Sequence, residues 1–350
     1  MKANLKIRRI LFGFILTIAA AVFVGAMIFL FLMISGRNRL TGQNKGVVPL
    51  LAQSDLMDAE VIGDDWQEGD VRYQGVHYRY NQDIMTFLFL GIDKMEEVQP
   101  VKDGLAGGQA DAIFLLVLDP HKKEISVIGV NRDTMTDVDV YSRLGTFSGT
   151  ETKQLCLQHG YGDGAELSCE RTVSAVSKLF YGLPINGYCS INMGAIPLIN
   201  DAVGGVTVTA LEDVINSDIK KGDEVLLRGM DAYYYLHNRD TTVDESARMR
   251  LERQKQYLTA YSKTAMGSLK SHLTLPIGLY RILEKYMVTD VSIDEVSYLA
   301  TQVADYKFDA QHIYTLEGKT EVVGDYEGFF PDETALYELI LKVFYEEVEE

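Results

Sequence analysis

Three apolar runs of strand length follow one another in the first half of the chain. They are Ile84–Ile92, Ala112–Leu118 and Glu124–Val130. A tight turn over residues 119–122 (DPHK) joins the second run to the third, so these two predict an antiparallel hairpin. If the first run lies antiparallel to the second, the end of the first strand, the start of the second and the end of the third meet at one edge of a sheet.

Segments with helical spacing alternate with further strand-like segments downstream. We predict helices over 166–181, 195–203, 229–237, 244–266, 293–306 and 332–347, and strands over 188–193, 206–209 and 312–316. Strands mixed with helices indicate a layered domain of the α/β or α+β class.

A long apolar segment precedes all of these elements. Residues 10–36 are about 27 positions without a charge, or roughly 40 Å of helix, which exceeds a hydrocarbon core of about 30 Å. A cleaved signal peptide is the alternative, but its apolar region would be shorter and would end in small residues. We expect a retained transmembrane anchor over 10–36, preceded by a cytoplasmic N-terminus (1–9) and followed by an extracytoplasmic tether (37–81).

The charge of the chain is distributed unevenly. Residues 1–50 hold seven of the 33 Lys and Arg residues and no Asp or Glu, which leaves 26 basic and 50 acidic residues in the remainder. Such an acidic surface repels polyphosphate, which argues against nucleic acid as a partner. Basic residues flank the apolar segment on both sides, so the positive-inside rule favours a cytoplasmic N-terminus only slightly. We expect a single-pass protein of the cell membrane with most of its chain outside the cytoplasm.

Charged side chains stand at the predicted sheet edge. Asp93 ends the first apolar run, Asp111 opens the second and Arg132 follows the third. Two carboxylates beside a guanidinium are the groups that a divalent metal and a phosphate require together. The alternative is that Asp only marks the ends of strands.

More arginines lie near the predicted helix over 244–266. Arg250, Arg253 and Tyr257 are spaced i, i+3 and i+7, which predicts one helix face, and Arg239 comes shortly before them. Arginines stacked on a helix usually form a solvent-exposed face. The acidic character of the remaining chain favours an anion-binding role instead.

The other reactive side chains do not indicate a particular reaction class. A disulfide between Cys156 and Cys169 and buried free thiols are both compatible with the sequence, and Cys189 is left over. There is no G-x-S-x-G and no H-E-x-x-H, so neither a nucleophile elbow nor a zinc-peptidase site is supported.

Eight short motifs resemble, in the same order, the LytR-CpsA-Psr family of membrane-anchored, extracytoplasmic phosphotransferases. They cover roughly residues 82–265 and read FLFLGID (87–93), ADAIFLLVLD (110–119), ISVIGVNRDT (125–134), QLCLQHGYGDG (154–164), GLPINGY (182–188), NDAVGGVTV (200–208), RGMDAYYYLHNRD (228–240) and RLERQ (250–254). Each motif is weak alone, but the ordered set is specific, and the predicted anchor agrees with the family.

The resemblance implies an α/β/α fold, in which a mixed central sheet lies between helices and a hydrophobic groove takes a polyprenyl tail. It implies transfer of a glycopolymer from an undecaprenyl-pyrophosphate lipid to a cell-wall acceptor, usually peptidoglycan. The catalytic domain would span residues 82–268, with a C-terminal extension over 269–350 packed on or next to it.

The resemblance also implies roles for site residues. Asp93 and Asp111 would ligate Mg²⁺, with Mn²⁺ as the alternative ion, and Asp133 would orient neighbouring arginines. The residues that would bind the pyrophosphate are Lys94, Arg132, Arg239, Arg250 and Arg253. The implied catalytic set is Asp93, Asp111, Arg132 and Asp133.

Two positions depart from the family pattern. The family often has Arg-x-Arg where this chain has His237-Asn238-Arg239, which would make one phosphate contact weaker or pH-dependent. Lys94 stands where an Arg is frequent, and it can neutralise phosphate but cannot bind it bidentately. A non-catalytic polyprenyl-lipid-binding scaffold and a polyprenyl-pyrophosphate hydrolase therefore stay open as alternatives to the transferase.

Overall fold

Strands and helices alternate along the described part of the computed structural model, which comprises residues 30–40, 42, 46–57, 65–101, 107–240, 246–271 and 275–348. The strands are β1 (Val71–Tyr73), β2 (Val76–Tyr80), β3 (Met85–Ile92), β4 (Ala110–Asp119), β5 (Glu124–Val130), β6 (Met135–Tyr141), β7 (Phe147–Gln154), β8 (Gly187–Asn192), β9 (Val206–Thr209), β10 (Glu224–Leu227), β11 (Met287–Thr289), β12 (Lys307–Thr315), β13 (Gly318–Val323), β14 (Tyr326–Pro331) and β15 (Tyr345–Glu347). The helices are α1 (30–40), α2 (Leu157–Gly160), α3 (Glu166–Leu179), α4 (Ile196–Ala202), α5 (Met230–His237), α6 (Ser246–Ser271), α7 (Leu275–Leu283), α8 (Ile293–Val303) and α9 (Glu333–Phe344).

Six of these strands form the central sheet, in the order β11-β8-β3-β4-β5-β12. β3 pairs antiparallel with β4, and β4 pairs antiparallel with β5, which confirms the three predicted strands and their hairpin. β8 adds to β3 in parallel and β12 adds to β5 in parallel, so the sheet is mixed. Parallel pairing needs a long crossover, and the intervening helices supply it.

Helices cover both faces of the central sheet. Alternate residues of a strand point to opposite faces. On one face Leu88 and Leu90 pack in a core cluster with α3 and α9, and on the other Phe87 packs in a cluster with α8 and with Leu40 at the end of α1. Burial of both faces explains why the central strands read as continuous apolar runs. The predicted α/β/α layering is confirmed.

The first described residues pack against the domain. The hydroxyl of Ser35 in α1 donates to Asp294 of α8 at 2.7 Å, and the Leu40 side chain is 2% exposed. Farther along, Leu51 is fully buried, and β1 and β2 form a small sheet with β15 from the other end of the chain. The described part of the predicted tether, 37–81, is therefore folded, because several of its apolar residues are buried in the core clusters of the domain.

None of the described helices combines the length and the apolar character needed to cross a membrane. The predicted anchor over 10–36 falls mainly on residues 10–29, which lie outside the described residues. Residues 30–36 form the beginning of α1.

Residues 269–350, predicted as a C-terminal extension, supply parts of the domain itself. β11 and β12 are the two edge strands of the central sheet. α9 contributes Tyr337, Ile340 and Phe344 to the main core cluster, each fully buried. This segment completes the sheet and the core, so the sequence boundary at 268 does not separate two packed units.

The burial of Leu40 predicts that α1 stabilises the domain. Leu40→Ala should lower the free energy of unfolding by about 2–4 kcal/mol, because it removes buried methyl groups and leaves a cavity. Leu30→Ala, at a half-exposed position of the same helix, should change it by less than about 0.5 kcal/mol. Urea denaturation of the full chain in detergent, followed by circular dichroism, measures both. Equal effects of the two variants would contradict the packing of α1.

Candidate active site

An irregularity in the pairing of β3 with β4 sets Asp111 apart from its neighbours. Gly91 lies opposite Ala112 and Ile92 lies opposite Ala110, so Asp111 is the extra residue of a β-bulge. Bulges often re-aim a side chain next to an active site. A Cβ atom at Gly91 would lie 3.0 Å from the Ala112 Cβ, so glycine permits the close approach beside the bulge.

Asp111 is the shared partner of two arginines. Arg132 Nη1 contacts its Oδ1, and Arg250 Nη1 lies 3.4 Å from its Oδ2. On the other side of Arg132, Asp133 Oδ1 lies 3.2 Å from the guanidinium Nε and accepts a hydrogen bond from the Gln154 amide at 2.9 Å. The side chains of Asp111, Arg132 and Arg250 are only 7%, 15% and 6% exposed, so these charges depend on one another instead of on water.

Positive charge exceeds negative charge in this group. Burial lowers the pKa of Arg250. Asp111 opposes that shift, and the charges of Arg239 and Arg132 add to it. We call Arg132, Arg239 and Arg250 the arginine cluster. Asp111 contacts Arg132 and Arg250 and Asp133 contacts Arg132, so three guanidinium groups stand against two carboxylates. An excess guanidinium in a desolvated site favours an anion, and phosphate matches its fork of donors.

Gln109 connects the arginine cluster to Asp93. Its backbone N–H donates to Asp93 Oδ1 at 2.7 Å, and its side-chain carbonyl accepts from Arg132. A cavity of about 360 Å³, which we call the polar cavity, is lined by Asp93, Lys94, Gly108, Gln109, Leu157, Gly160 and Tyr161. Asp93 and Lys94 therefore line this cavity, whereas Asp111, Arg132 and Arg250 line an adjoining recess.

An apolar groove of about 430 Å³ lies between the central sheet and helices α6 and α7. Its lining residues are Phe89, Phe114, Leu116, Ile125, Val127, Leu258, Tyr261, Ser262, Ala265, Met266, Leu279 and Phe308. Four strands and two helices contribute to this apolar groove, so its shape depends on the packing of the whole layer.

Helix α6 joins the apolar groove to the arginine cluster. Arg250, Gln254, Leu258, Tyr261 and Ala265 recur every three or four residues and so lie along one side of the helix. The first two line the recess of the arginine cluster, and the other three line the apolar groove. At 1.5 Å per residue they cover roughly 22 Å. One helix side therefore leads from an anion-binding end to an apolar end.

A protein-family model matches most of the chain. The model, described as the LytR_cpsA_psr family, covers residues 56–342. The chain belongs to this family. The match confirms the resemblance carried by the eight motifs and extends beyond them at both ends, in agreement with the folded segments before β3 and after α6.

Curated relatives and solved structures of the family resemble the chain over much of its length. A polyisoprenyl-teichoic acid–peptidoglycan teichoic acid transferase, TagU, of Halalkalibacterium halodurans is 25% identical over 245 residues, which are 67% of this chain and 69% of the relative. The protein of the same name from Bacillus subtilis is 24% identical over 263 residues, 74% of this chain and 76% of the relative. The crystal structure of B. subtilis TagV shares the fold, with a TM-score of 0.55 and 22% identity over 74% of this chain and 94% of that one. The relatives are named as transferases, in agreement with the enzyme class predicted from the sequence.

In this member of the LytR_cpsA_psr family, Arg253 is separated from Arg250. Its Nε lies 2.8 Å from a Glu212 carboxylate oxygen, and its other nitrogens contact the carbonyl groups of Tyr235 and Asn238. The side chain is 1% exposed. These contacts correct the prediction of one shared helix face: a spacing of three residues turns Arg253 about 60° round the helix, away from the groove side.

Arg253 acts instead on the segment that carries Arg239. It holds the carbonyl of the residue directly before Arg239, whose charge in turn acts on Arg250. His237, where the sequence departs from the family pattern, stacks on Tyr233 with ring centroids 4.8 Å apart. The Tyr233 hydroxyl lies 3.1 Å from His237 Nδ1, so this histidine is held by its own helix.

Two polar neighbours of Arg132 were not predicted. Arg132 Nη2 contacts the side-chain carbonyl of Gln109 and lies 3.0 Å from Cys156 Sγ. All three cysteines are free, so Cys156 and Cys169 are buried thiols and form no disulfide. Burial raises the pKa of Cys156 to about 11, so its thiol is protonated at neutral pH. Both neighbours lie in or next to quoted motifs, but neither residue type by itself indicates contact with an arginine.

The oxygen donors of the site suit Mg²⁺ better than a soft metal. Within the described ranges no three His, Cys, Asp or Glu side chains come together as a metal cluster. Mg²⁺ characteristically uses one or two carboxylates together with substrate phosphates and water, which Asp93 and Asp111 can supply. Both oxygens of Asp111 face guanidinium groups, so a metal would share this carboxylate with Arg132 and Arg250.

The contacts of Arg253 predict a structural effect. Arg253→Leu should lower the free energy of unfolding by about 2–4 kcal/mol, because Glu212 and two carbonyl groups lose their partner. Arg239→Leu, at a half-buried position of the arginine cluster, should change it by less than about 1 kcal/mol. Urea denaturation of both variants makes the comparison. Wild-type stability of Arg253→Leu would make Arg253 a candidate ligand-binding residue again.

Proposed function

We propose that this protein transfers a glycopolymer from an undecaprenyl-pyrophosphate lipid to peptidoglycan, and that the link it forms is a phosphodiester. The observation that carries the proposal is that one side of α6 lines both parts of the site. Arg250 and Gln254 line the recess of the arginine cluster. Leu258, Tyr261 and Ala265 farther along the same side line the apolar groove. A ligand that fits both ends has a charged head and a long apolar tail. The names of the TagU relatives, which specify a polyisoprenyl-linked donor and a peptidoglycan acceptor, support the same reaction.

The apolar groove would take the polyprenyl tail. Its lining is almost entirely hydrocarbon, and burial of an apolar chain there is favourable by roughly 25 cal/mol per Å² removed from water. Phe89 is 37% exposed in the protein alone, which is unusual for a large aromatic residue in a central strand. A bound tail would cover it.

The arginine cluster would bind the pyrophosphate. Arg132 and Arg250 are already fixed by Asp111, so little side-chain freedom is lost when the anion binds. Bidentate contacts from guanidinium groups would hold the phosphate oxygens in place. Asp133 would keep Arg132 oriented through its contact with Nε.

The reaction would be a phosphoryl transfer that relies on positioning and charge stabilisation. An acceptor hydroxyl attacks the phosphorus next to the sugar and releases its proton to solvent. The bond from that phosphorus to the bridging oxygen breaks, and polyprenyl phosphate leaves with the bonding electron pair. Arg132, Arg239 and Arg250 stabilise the negative charge that develops on the leaving phosphate. Mg²⁺, or Mn²⁺ in its place, held by Asp93 and Asp111 would supply further positive charge to the pyrophosphate oxygens.

The same proposal has the chain anchored in the cell membrane by residues 10–36, with the bulk outside the cytoplasm. Its support is the uncharged run in the sequence and the acidic composition of the chain after residue 50. A lipid-linked donor and a peptidoglycan acceptor are both accessible from that position.

The proposed transfer predicts a product that requires both the metal and Asp93. The full chain in detergent should join a polyprenyl-pyrophosphate-linked glycan to peptidoglycan oligomers when Mg²⁺ is present. Asp93→Ala should reduce this rate by at least about 100-fold, since a metal ligand is lost. Mass spectrometry of the products measures the phosphodiester-linked conjugate.

Asp83→Ala is the matched control, because Asp83 is an exposed carboxylate just before the other end of β3 and pairs with His121. It should keep the wild-type rate. Free phosphate-terminated glycan as the main product would instead indicate a hydrolase. Tight lipid binding without any product would indicate a scaffold, and full activity of Asp93→Ala would refute the metal role.

The geometry of Arg132 predicts that its charge alone is insufficient. Arg132→Lys should lower kcat/KM for the lipid donor by at least about tenfold, because an ammonium lacks the planar fork that can hold Asp111 and Gln109 and still present N–H groups to a phosphate. Arg143→Lys, at an exposed position between β6 and β7, should leave it unchanged. Steady-state rates at varied donor concentration test this. A wild-type value for Arg132→Lys would count against bidentate clamping.

A further inference from the structure

We propose that the polar cavity binds the sugar ring of the acceptor and presents its hydroxyl to the phosphorus. This inference rests on the proposed transfer reaction and deepens it, since it adds the position from which the second substrate enters. Three properties of the polar cavity carry it, namely its position, its charge and its size.

The polar cavity adjoins the arginine cluster directly. Gln109 belongs to both: its backbone N–H donates to Asp93 at 2.7 Å, and its side-chain carbonyl accepts from Arg132. A ligand group in the polar cavity is therefore separated from a phosphate on Arg132 by one side chain. An attacking hydroxyl must approach the phosphorus closely, and the polar cavity is the space next to the phosphate position.

The polar cavity and the apolar groove lie at opposite ends of the site. Phe89 and Gly91 lie on one side of β3, because residues two apart on a strand point the same way, and Asp93 directly follows the last residue of the strand. Phe89 lines the apolar groove, Asp93 lines the polar cavity, and Gly91 between them carries no side chain. The order along the sheet is thus tail site, phosphate site, polar cavity.

This order matches the geometry of an in-line displacement. The attacking and leaving oxygens stand on opposite sides of the phosphorus. The leaving polyprenyl phosphate points along its tail into the apolar groove. The acceptor hydroxyl must then enter from the other side, which is the side of the polar cavity.

The lining of the polar cavity suits a sugar ring. Asp93 and Lys94 bring one charge of each sign, so the lining offers both an acceptor and a donor of hydrogen bonds to sugar hydroxyl groups. Gln109 adds an amide, and Tyr161 adds a half-buried aromatic ring against which an apolar sugar face can pack. The volume of about 360 Å³ lies within the usual range for small-molecule sites.

Gly160 offers a way to fill the polar cavity without removing any group. It lines the polar cavity, and a Cβ atom there would meet only the Gly108 carbonyl oxygen, at 3.6 Å, which is an ordinary contact. A leucine at this position would begin in the polar cavity and occupy it. Gly278 in α7 is the matched control, because a Cβ atom there meets nothing within 4 Å and the residue is exposed.

The test compares the full-length Gly160→Leu, Gly160→Ala and Gly278→Leu proteins in detergent. Gly160→Leu should raise the KM for peptidoglycan oligomers by at least about tenfold and leave the KM for the lipid-linked donor unchanged. Gly160→Ala, which adds a single carbon to the polar cavity, should raise the KM for peptidoglycan oligomers less than Gly160→Leu does. Gly278→Leu should stay within about twofold of wild type for both substrates. Binding of a soluble peptidoglycan disaccharide-peptide, measured by calorimetry, should be lost only in Gly160→Leu.

The two readouts separate this inference from the proposed function. If the wild type binds the disaccharide-peptide and Gly160→Leu does not, the polar cavity is the saccharide site whether or not transfer is observed. An unchanged acceptor affinity in Gly160→Leu overturns the inference even if transfer is normal. A raised KM for the donor instead of the acceptor also overturns it, since the polar cavity would then hold the donor sugar. Tyr161→Ala, which removes the ring without adding bulk, repeats the comparison should Gly160→Leu unfold.

Discussion

One buried carboxylate holds the charged part of this protein together. Arg132 and Arg250 would repel each other at their low exposure if Asp111 did not lie between them and offer one oxygen to each. The β-bulge makes this possible, because it turns Asp111 out of the regular ladder between β3 and β4. The small residues Gly91, Ala110 and Ala112 around the bulge leave the strands close together. The arrangement of Arg132 and Arg250 around Asp111 is thus a consequence of one irregularity in an otherwise regular sheet.

Helix α6 joins this charged cluster to the apolar groove. Its groove side carries both the arginine and the apolar residues, and the neighbouring and opposite sides are fixed to the rest of the domain. There Tyr257 donates to Asn200 at 3.2 Å, Gln256 donates to the Thr209 carbonyl at 2.7 Å, and Arg253 pairs with Glu212. These contacts set the rotation of α6, and the rotation decides which residues face the groove.

Both ends of the chain support the wall of the apolar groove. Leu40, at the end of α1, belongs to the same core cluster as Ile125, with Leu116 and Phe308 packed against it. The last three of these residues also line the apolar groove. Phe308 comes from β12, an edge strand contributed by the C-terminal part of the chain. Segments far apart in sequence therefore pack together behind the residues that line the apolar groove.

The order of apolar runs and turns is enough to predict the central strands and the sheet edge at which Asp111 and Arg132 lie. Two apolar runs of strand length joined by a short turn pair as an antiparallel hairpin, which brings the start of one strand next to the end of the other. The rest needed the tertiary structure. Arg250 and Arg253 are only about 60° apart on a helical wheel, so the wheel alone does not decide which of them faces the groove. Glu212 and the Asn238 carbonyl hold Arg253 away from it. The apolar groove and the edge strands β11 and β12 join residues far apart in the chain, and no local pattern encodes such pairings, because their stability comes from burial that exists only after the layers have packed.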